Sequence, residues 1–251
     1  MSAKQAPFAL FDNNLDDAGR SGAWLLTGLR EEVVCTDPAT WQACLQRLED
    51  AADGGAWIAL AATYELGYAI ESRLQPLLAA DHGPLLTGWI FEHAEWLDDT
   101  ACDAWLAART DTDIGGTSSL MAGLAEHDYL KHIARIRQYI TDGDCYQVNF
   151  TFPLTGRFFG DPAALYRKLR AAQPVRYGAF ISHAGGAILS RSPELFVERQ
   201  GTSLCSQPMK GTAPRHTPPD ALAASEKDRA ENVMIVDLIR NDMGRLAPPG
   251  G

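Results

Sequence analysis

Hydrophobic and polar positions change period several times along the chain, and each change predicts an element. Phe8-Ala-Leu-Phe reads as a short strand and Trp24-Leu-Leu as a second one, after the Gly/Asp-rich turn that ends at Gly22. Trp41, Leu45 and Leu48 then recur at helical spacing. Asp37 is the expected N-cap of that helix, Pro38 its first residue and Gly54-Gly55 its stop. The run 56–62 shows little alternation and suits a strand buried on both faces, leading into Tyr64-Glu-Leu-Gly-Tyr, and 85–91 suits a further strand. Residues 98–117 are polar, small and Gly-containing, so a boundary is expected there, between a region 1–115 and a region 120–251.

Beyond the boundary the periods sharpen. Tyr129, Ile133, Ile136 and Ile140 stand at i, i+4, i+7 and i+11, which predicts an amphipathic helix from Glu126, closed by Gly143 and packed on a sheet. Val148, Phe150, Phe152 and Leu154 alternate with Asn149, Thr151 and Pro153, the pattern of a half-buried strand with an edge or bulge at the proline. Asp161-Pro162 caps another helix through Ala172. Two hairpins are expected next, one turning at Ala184-Gly-Gly and one at Gln200-Gly201. Ser225 is the N-cap expected for the final helix, with Asp228 completing a short capping box and Asn241 or Gly244 near the stop. Val233, Met234, Ile235, Val236, Leu238 and Ile239 cover most of that helix's circumference, so it is expected to be buried.

Composition narrows the functional classes. With 251 residues, of which 46% are hydrophobic, the chain can build a real core. A net charge of -10 argues against a nucleic-acid surface and makes any small anionic ligand dependent on a local cation. No apolar run is long enough for a membrane span and Met-Ser-Ala-Lys-Gln-Ala-Pro lacks the pattern of a secretory signal, so a cytoplasmic location is expected. Cysteines 35, 44, 102, 145 and 205 form no Cys-x-x-Cys pair, which indicates neither a zinc knuckle nor a disulfide framework.

Candidate chemistry gathers between Cys205 and Arg245. Lys210 follows Pro208-Met209 and precedes Gly211-Thr212, in a turn whose amides could meet a carboxylate while the amine reaches a reacting carbon. Asp228 and Glu231 are three apart on a helix and point the same way, near an N-terminus that favours carboxylates; two such oxygens suit Mg²⁺. The plainer readings stand beside these: a solvated turn lysine, a capping aspartate, and a surface glutamate paired with Lys227. Cys145 lacks a histidine partner pattern, His127 and His132 are wrongly spaced for one helical face, and phosphate-loop and Gly-x-Ser-x-Gly motifs are absent.

Four ordered stretches carry a resemblance: Gly143-Asp-Cys-Tyr-Gln-Val-Asn, Ser190-Arg-Ser-Pro-Glu-Leu-Phe, Pro208-Met-Lys-Gly-Thr-Ala-Pro-Arg and Asp228-Arg-Ala-Glu-Asn-Val-Met-Ile-Val-Asp-Leu-Ile-Arg-Asn-Asp. Together they closely resemble the chorismate-utilising enzymes, the anthranilate synthase component I family, and Tyr64-Glu-Leu-Gly-Tyr-Ala is similar to that family's N-terminal region. The resemblance implies an α+β fold of large antiparallel sheets flanked by helices, with 1–115 as the N-terminal region and 120–251 as the first part of the chorismate-binding catalytic domain. It also implies Mg²⁺ and chorismate as ligands and a glutamine amidotransferase subunit that supplies ammonia.

Pro-x-Lys-Gly-Thr resembles the para-aminobenzoate branch, whereas anthranilate synthases usually carry alanine at the place of Lys210. In that branch the lysine is expected to attack ring carbon 2 of chorismate and expel the 4-hydroxyl, after which ammonia adds at carbon 4 and the lysine leaves. By the same resemblance Glu231 is a metal ligand, Asp228 a water-mediated metal partner, and Gly211 and Thr212 substrate contacts. The family pattern continues with a Gly-Ala-Pro-Lys stretch, a Tyr and an Arg for the substrate carboxylates, and further glutamates, so this chain is expected to be truncated in mid-sheet and inactive alone. Another chorismate enzyme, anthranilate or isochorismate synthase, and a non-catalytic binding module are the alternatives.

Overall fold

The computed structural model describes residues 6–15, 21–110, 112–214 and 216–246. Most of the turn before Gly22, Arg215 of the lysine motif and residues 247–251 lie outside them. The chain forms two compact units, one of Met1–Cys102 with Arg170–Gly251, the other of Asp103–Leu169. Among the described residues no helix is long and apolar enough to cross a membrane.

The first unit is built on a six-stranded sheet in the order β3-β4-β2-β1-β7-β8. Its strands are β1 (Phe8–Asn13), β2 (Gly22–Cys35), β3 (Trp57–Ala62), β4 (Leu86–Leu97), β7 (Tyr177–His183) and β8 (Gly186–Ser192). Every pairing is antiparallel. Successive β4 side chains point to opposite faces, and this divides the core in two. Ile90 joins Cys35, Leu48, Leu66, Ala69, Leu85 and Leu86 beneath helices α1 (Trp41–Asp53) and α2 (Leu66–Ile70). Trp89 and Phe91 join Ala9, Leu26, Ala59 and Ile181 on the other face. The mixed α and β composition and large antiparallel sheet agree with the expected fold class.

A buried charge network fastens three segments of this unit. Asp12 of β1, its side chain fully buried, accepts from Arg170 Nε at 2.6 Å and from Arg191 Nη1 at 2.7 Å. Arg170 also meets Asp99 at 2.7 Å, and Arg191 donates to Asn14 Oδ1 and to the carbonyl of Gln173. Two cations thereby share one buried anion where water is scarce, and the half-exposed Asp99 meets Arg170 from the rim.

The second hairpin, β9 (Leu195–Gln200) with β10 (Ser203–Gln207), forms a separate two-stranded sheet. Helix α6 (Pro219–Ala223) precedes α7 (Glu226–Met243), whose N-cap is Ser225 as expected. Its burial is otherwise than expected: none of its residues is buried, and Val233 is 68% exposed. Apolar residues all round a helix report a surface that needs cover, and among the described residues α7 packs on the short α6.

In the second unit β5 (Gly115–Ala122) pairs with β6 (Leu154–Gly160), and the helix predicted from Glu126 is α4 (Glu126–Asp142), ended by Gly143 in the left-handed region at φ +80°. Helix α5 (Pro162–Ala172) carries the expected Asp161 cap, whose carboxylate accepts from Ala163 N–H at 2.8 Å.

The stretch 98–117 also holds elements that the pattern did not predict, a helix, α3 (Asp99–Arg109), and the start of β5, because Ala, Leu and Trp at helical spacing outweigh the polar composition. Several other expectations need correction. The alternating run 148–153 has no regular structure and strand β6 begins at Leu154; no strand among the described residues runs beside the run, and Pro153 lacks a ladder donor. Helix α4 accordingly meets rings rather than a sheet, Tyr129 lying 5.8 Å from Phe150 and 5.9 Å from Phe152. Strand β3 is an edge strand with Trp57 45% exposed, not one buried on both faces. Helix α1 starts after Thr40, since Asp37 uses its carboxylate on Ala39 N–H at 2.8 Å in the preceding turn.

Candidate functional site

The β9–β10 hairpin lifts the chain to Gln207 and Pro208, and the next residues leave the ladder in a turn. Lys210 is half-buried, and among the described residues its amine has no hydrogen bond or ion pair. Gly211 takes φ +79°, a backbone that only glycine adopts cheaply, and so directs the chain away immediately after the lysine. Thr212 follows, exposed. Lysine, glycine and threonine therefore stand in one loop, with an amine unspent on structural pairing.

Two side chains anchor this turn that the sequence did not assign. Glu194 Oε1 accepts from the backbone N–H of Met209 at 3.1 Å, and Tyr177 O–H donates to Gln207 Oε1 at 3.4 Å. Glu194 is itself set by a local turn, its N–H donating to Ser192 Oγ at 3.3 Å. The signal was present, since Ser192-Pro-Glu194 lies in a stretch that carried the resemblance, but a carboxylate to a distant backbone amide has no spacing rule.

Asp228 and Glu231 lie one turn apart near the start of α7, both half-buried. Ser225 Oγ accepts from Asp228 N–H at 3.3 Å, so it is the backbone, not the carboxylate, of Asp228 that completes the cap. Glu231 Oε1 lies 3.7 Å from Lys227 Nζ, the i,i+4 pair anticipated as the plainer reading. Because Lys227 is 80% exposed, that pairing is weak.

The donor set fits a hard divalent cation: two carboxylates on one helical face satisfy an ion that fills its shell with water and substrate oxygens. No group of three or more His, Cys, Asp or Glu positioned for a metal occurs among the described residues. No hydrogen bond or ion pair joins the lysine loop to the carboxylate helix among those residues. Removing the cap tests how far α7 depends on Ser225: Ser225→Ala is expected to cost about 1 kcal/mol, read as a lower urea midpoint, while Ser225→Asp retains it.

The sequence model of the family described as chorismate binding enzyme matches residues 37–251. The chain belongs to that family. Aminodeoxychorismate synthase component 1 of Klebsiella aerogenes is 40% identical over 163 residues, which cover 61% of this chain and 36% of that protein. The protein of the same name from Salmonella typhimurium is 36% identical over 183 residues, 69% of this chain and 39% of the relative. Anthranilate synthase component 1 of Streptomyces coelicolor is 40% identical over 153 residues, 58% of this chain and 30% of that protein. The chain thus spans less than two-fifths of the length of these relatives.

Proposed function

We propose that this chain is part of an enzyme that aminates chorismate at ring carbon 4, forming 4-amino-4-deoxychorismate. The observation that carries the reading is Lys210 in Pro-Met-Lys-Gly-Thr, half-buried and with no partner for its amine among the described residues, at the position where anthranilate synthases usually carry alanine. Overall identity does not separate the branches, because relatives of both names reach 40%. A residue that supplies a nucleophile does.

In this reading the Lys210 amine forms a bond to carbon 2 of the ring, both conjugated ring double bonds shift toward carbon 4, and the carbon 4–oxygen bond breaks, the hydroxyl leaving as water with a proton. Ammonia then adds at carbon 4 and loses a proton, both double bonds return, and the carbon 2–nitrogen bond to Lys210 breaks to release the free amine. A covalent step divides one difficult displacement into two. Gly211 and Thr212 contact the substrate beside the amine, and Glu194 and Tyr177 hold the turn that presents it. Glu231 would ligate Mg²⁺ directly and Asp228 through water; bound there, the ion neutralises a substrate carboxylate and orients the ring. Residues 120–251 would supply the first part of the chorismate-binding domain and 1–115 its N-terminal region, with ammonia coming from a glutamine amidotransferase subunit.

The full-length protein with chorismate and an ammonium salt tests this reading. Turnover is expected without any partner subunit and should stop when Mg²⁺ is chelated; absence of ammonia-dependent turnover would sink the proposal. Glu231→Gln keeps the size of the side chain and removes its charge. It is expected to raise the Mg²⁺ concentration for half-maximal activity by about tenfold or more, and an unchanged Mg²⁺ dependence would remove Glu231 from the ligand set.

A further inference from the structure

Strand β2 ends at Cys35, and the chain reverses into α1 through a turn built on Asp37, whose carbonyl accepts both the N–H and the hydroxyl of Thr40. The turn returns the helix to the place it left. Cys35 is fully buried, and its Sγ lies 3.4 Å from the Asp37 carbonyl and 3.7 Å from Thr40 Oγ1. Cys44 sits one helical turn beyond Thr40, its N–H donating to the Thr40 carbonyl at 3.0 Å. Side chains on a helix lean toward its N-terminus, so the Cys44 thiol falls back over the same spot. It packs on the cluster that contains Cys35, one turn beyond the Thr40 whose hydroxyl the Cys35 thiol meets.

We propose that Cys35 and Cys44 are a modification site, a dithiol that converts to an intrachain disulfide when it meets a small disulfide oxidant such as oxidised glutathione. The half-buried Cys44 reacts first: its thiolate attacks one glutathione sulfur, forms a mixed disulfide and releases one glutathione thiolate. The buried Cys35 then loses its proton and attacks the Cys44 sulfur, releasing the second. Two protein thiols give up two protons and two electrons, and one glutathione disulfide becomes two thiols.

The surroundings set the rate and the reversibility. Burial first, and then the neighbouring Cys35, push the Cys44 thiol above its ordinary range. Little thiolate is present near neutral pH, so oxidation is slow there and accelerates as pH rises. The same property makes the finished disulfide hard to reduce, because a thiol that binds its proton tightly is a poor leaving group. Cys205, exposed on β10, serves as the internal contrast, a thiol that can take up glutathione.

The inference stands apart from the proposed activity and is tested on the full-length protein. Cys35 and Cys44 lie together in the tryptic peptide 31–47. After incubation with oxidised glutathione at mildly alkaline pH, acid quench and alkylation, that peptide is expected to be two hydrogens lighter and free of alkyl label. Closing a loop of roughly ten residues should also raise Tm by about 5 °C, a gain that Cys44→Ser and Cys44→Ala both lose. Recovery of the peptide with both thiols alkylated, or with glutathione held on Cys44 alone, would overturn the proposal. So would a Tm gain that persists in both Cys44 variants.

Discussion

Lys210→Ala in the full-length protein is expected to lower the rate of chorismate amination by about 10³-fold or more, the scale on which loss of a group acting in the chemistry is felt. Folding should be almost untouched. Lys210 stands in a loop after β10, and among the described residues its amine supports no hydrogen bond or ion pair, so its removal unpairs nothing. The combination of lost turnover and unchanged Tm separates a reacting amine from a structural one. Lys210→Arg extends the argument. Arginine keeps a positive charge beside an anionic substrate but stays protonated and is no nucleophile. It should be as inactive as alanine if the lysine bonds to the ring, and substantially active if only its charge matters. KM for chorismate measured on any residual turnover shows whether ground-state binding was also lost.

Asp12→Ala should have the opposite signature, a large loss of stability. Its carboxylate is the shared partner of Arg170 and Arg191, whose side chains are only 9% and 7% exposed. Alanine would leave two cations facing each other where water is scarce. Arg170 would keep Asp99, and Arg191 would keep the Asn14 amide and the Gln173 carbonyl among its acceptors. Breaking a buried pair by deleting one member costs about 3–5 kcal/mol, which for a chain of this size is a Tm lower by roughly 10 °C. Asp12→Asn keeps acceptor capacity through its amide oxygen and should fall between. The effect follows from geometry, because the network joins β1 to the end of α5 and to β8, segments far apart in sequence. A Tm within a degree or two of the parent would show that the network contributes little.

Local chemistry was the legible part of the sequence. The Asp161 and Ser225 caps, the Gly143 stop and both hairpins stand where spacing put them, since each depends on a few adjacent residues. What depends on a partner was not legible. The apolar residues of α7 describe a helix that seeks cover and cannot say whether a neighbour supplies it; Val233, Val236 and Leu238 are exposed. The alternating run 148–153 has strand character without a strand beside it among the described residues. Long-range polar ties were equally hidden: nothing in sequence spacing joins Asp12 to Arg191, or Glu194 to the amide of Met209. At the candidate site the residue types and the two elements that carry them, the lysine loop and the carboxylate helix, were readable.

The measurement that bears most directly on the proposed function is the identity of the product released by the full-length protein from chorismate and ammonium. Lys210 predicts an amino group at ring carbon 4, as 4-amino-4-deoxychorismate. Anthranilate, or isochorismate formed without nitrogen, would contradict it.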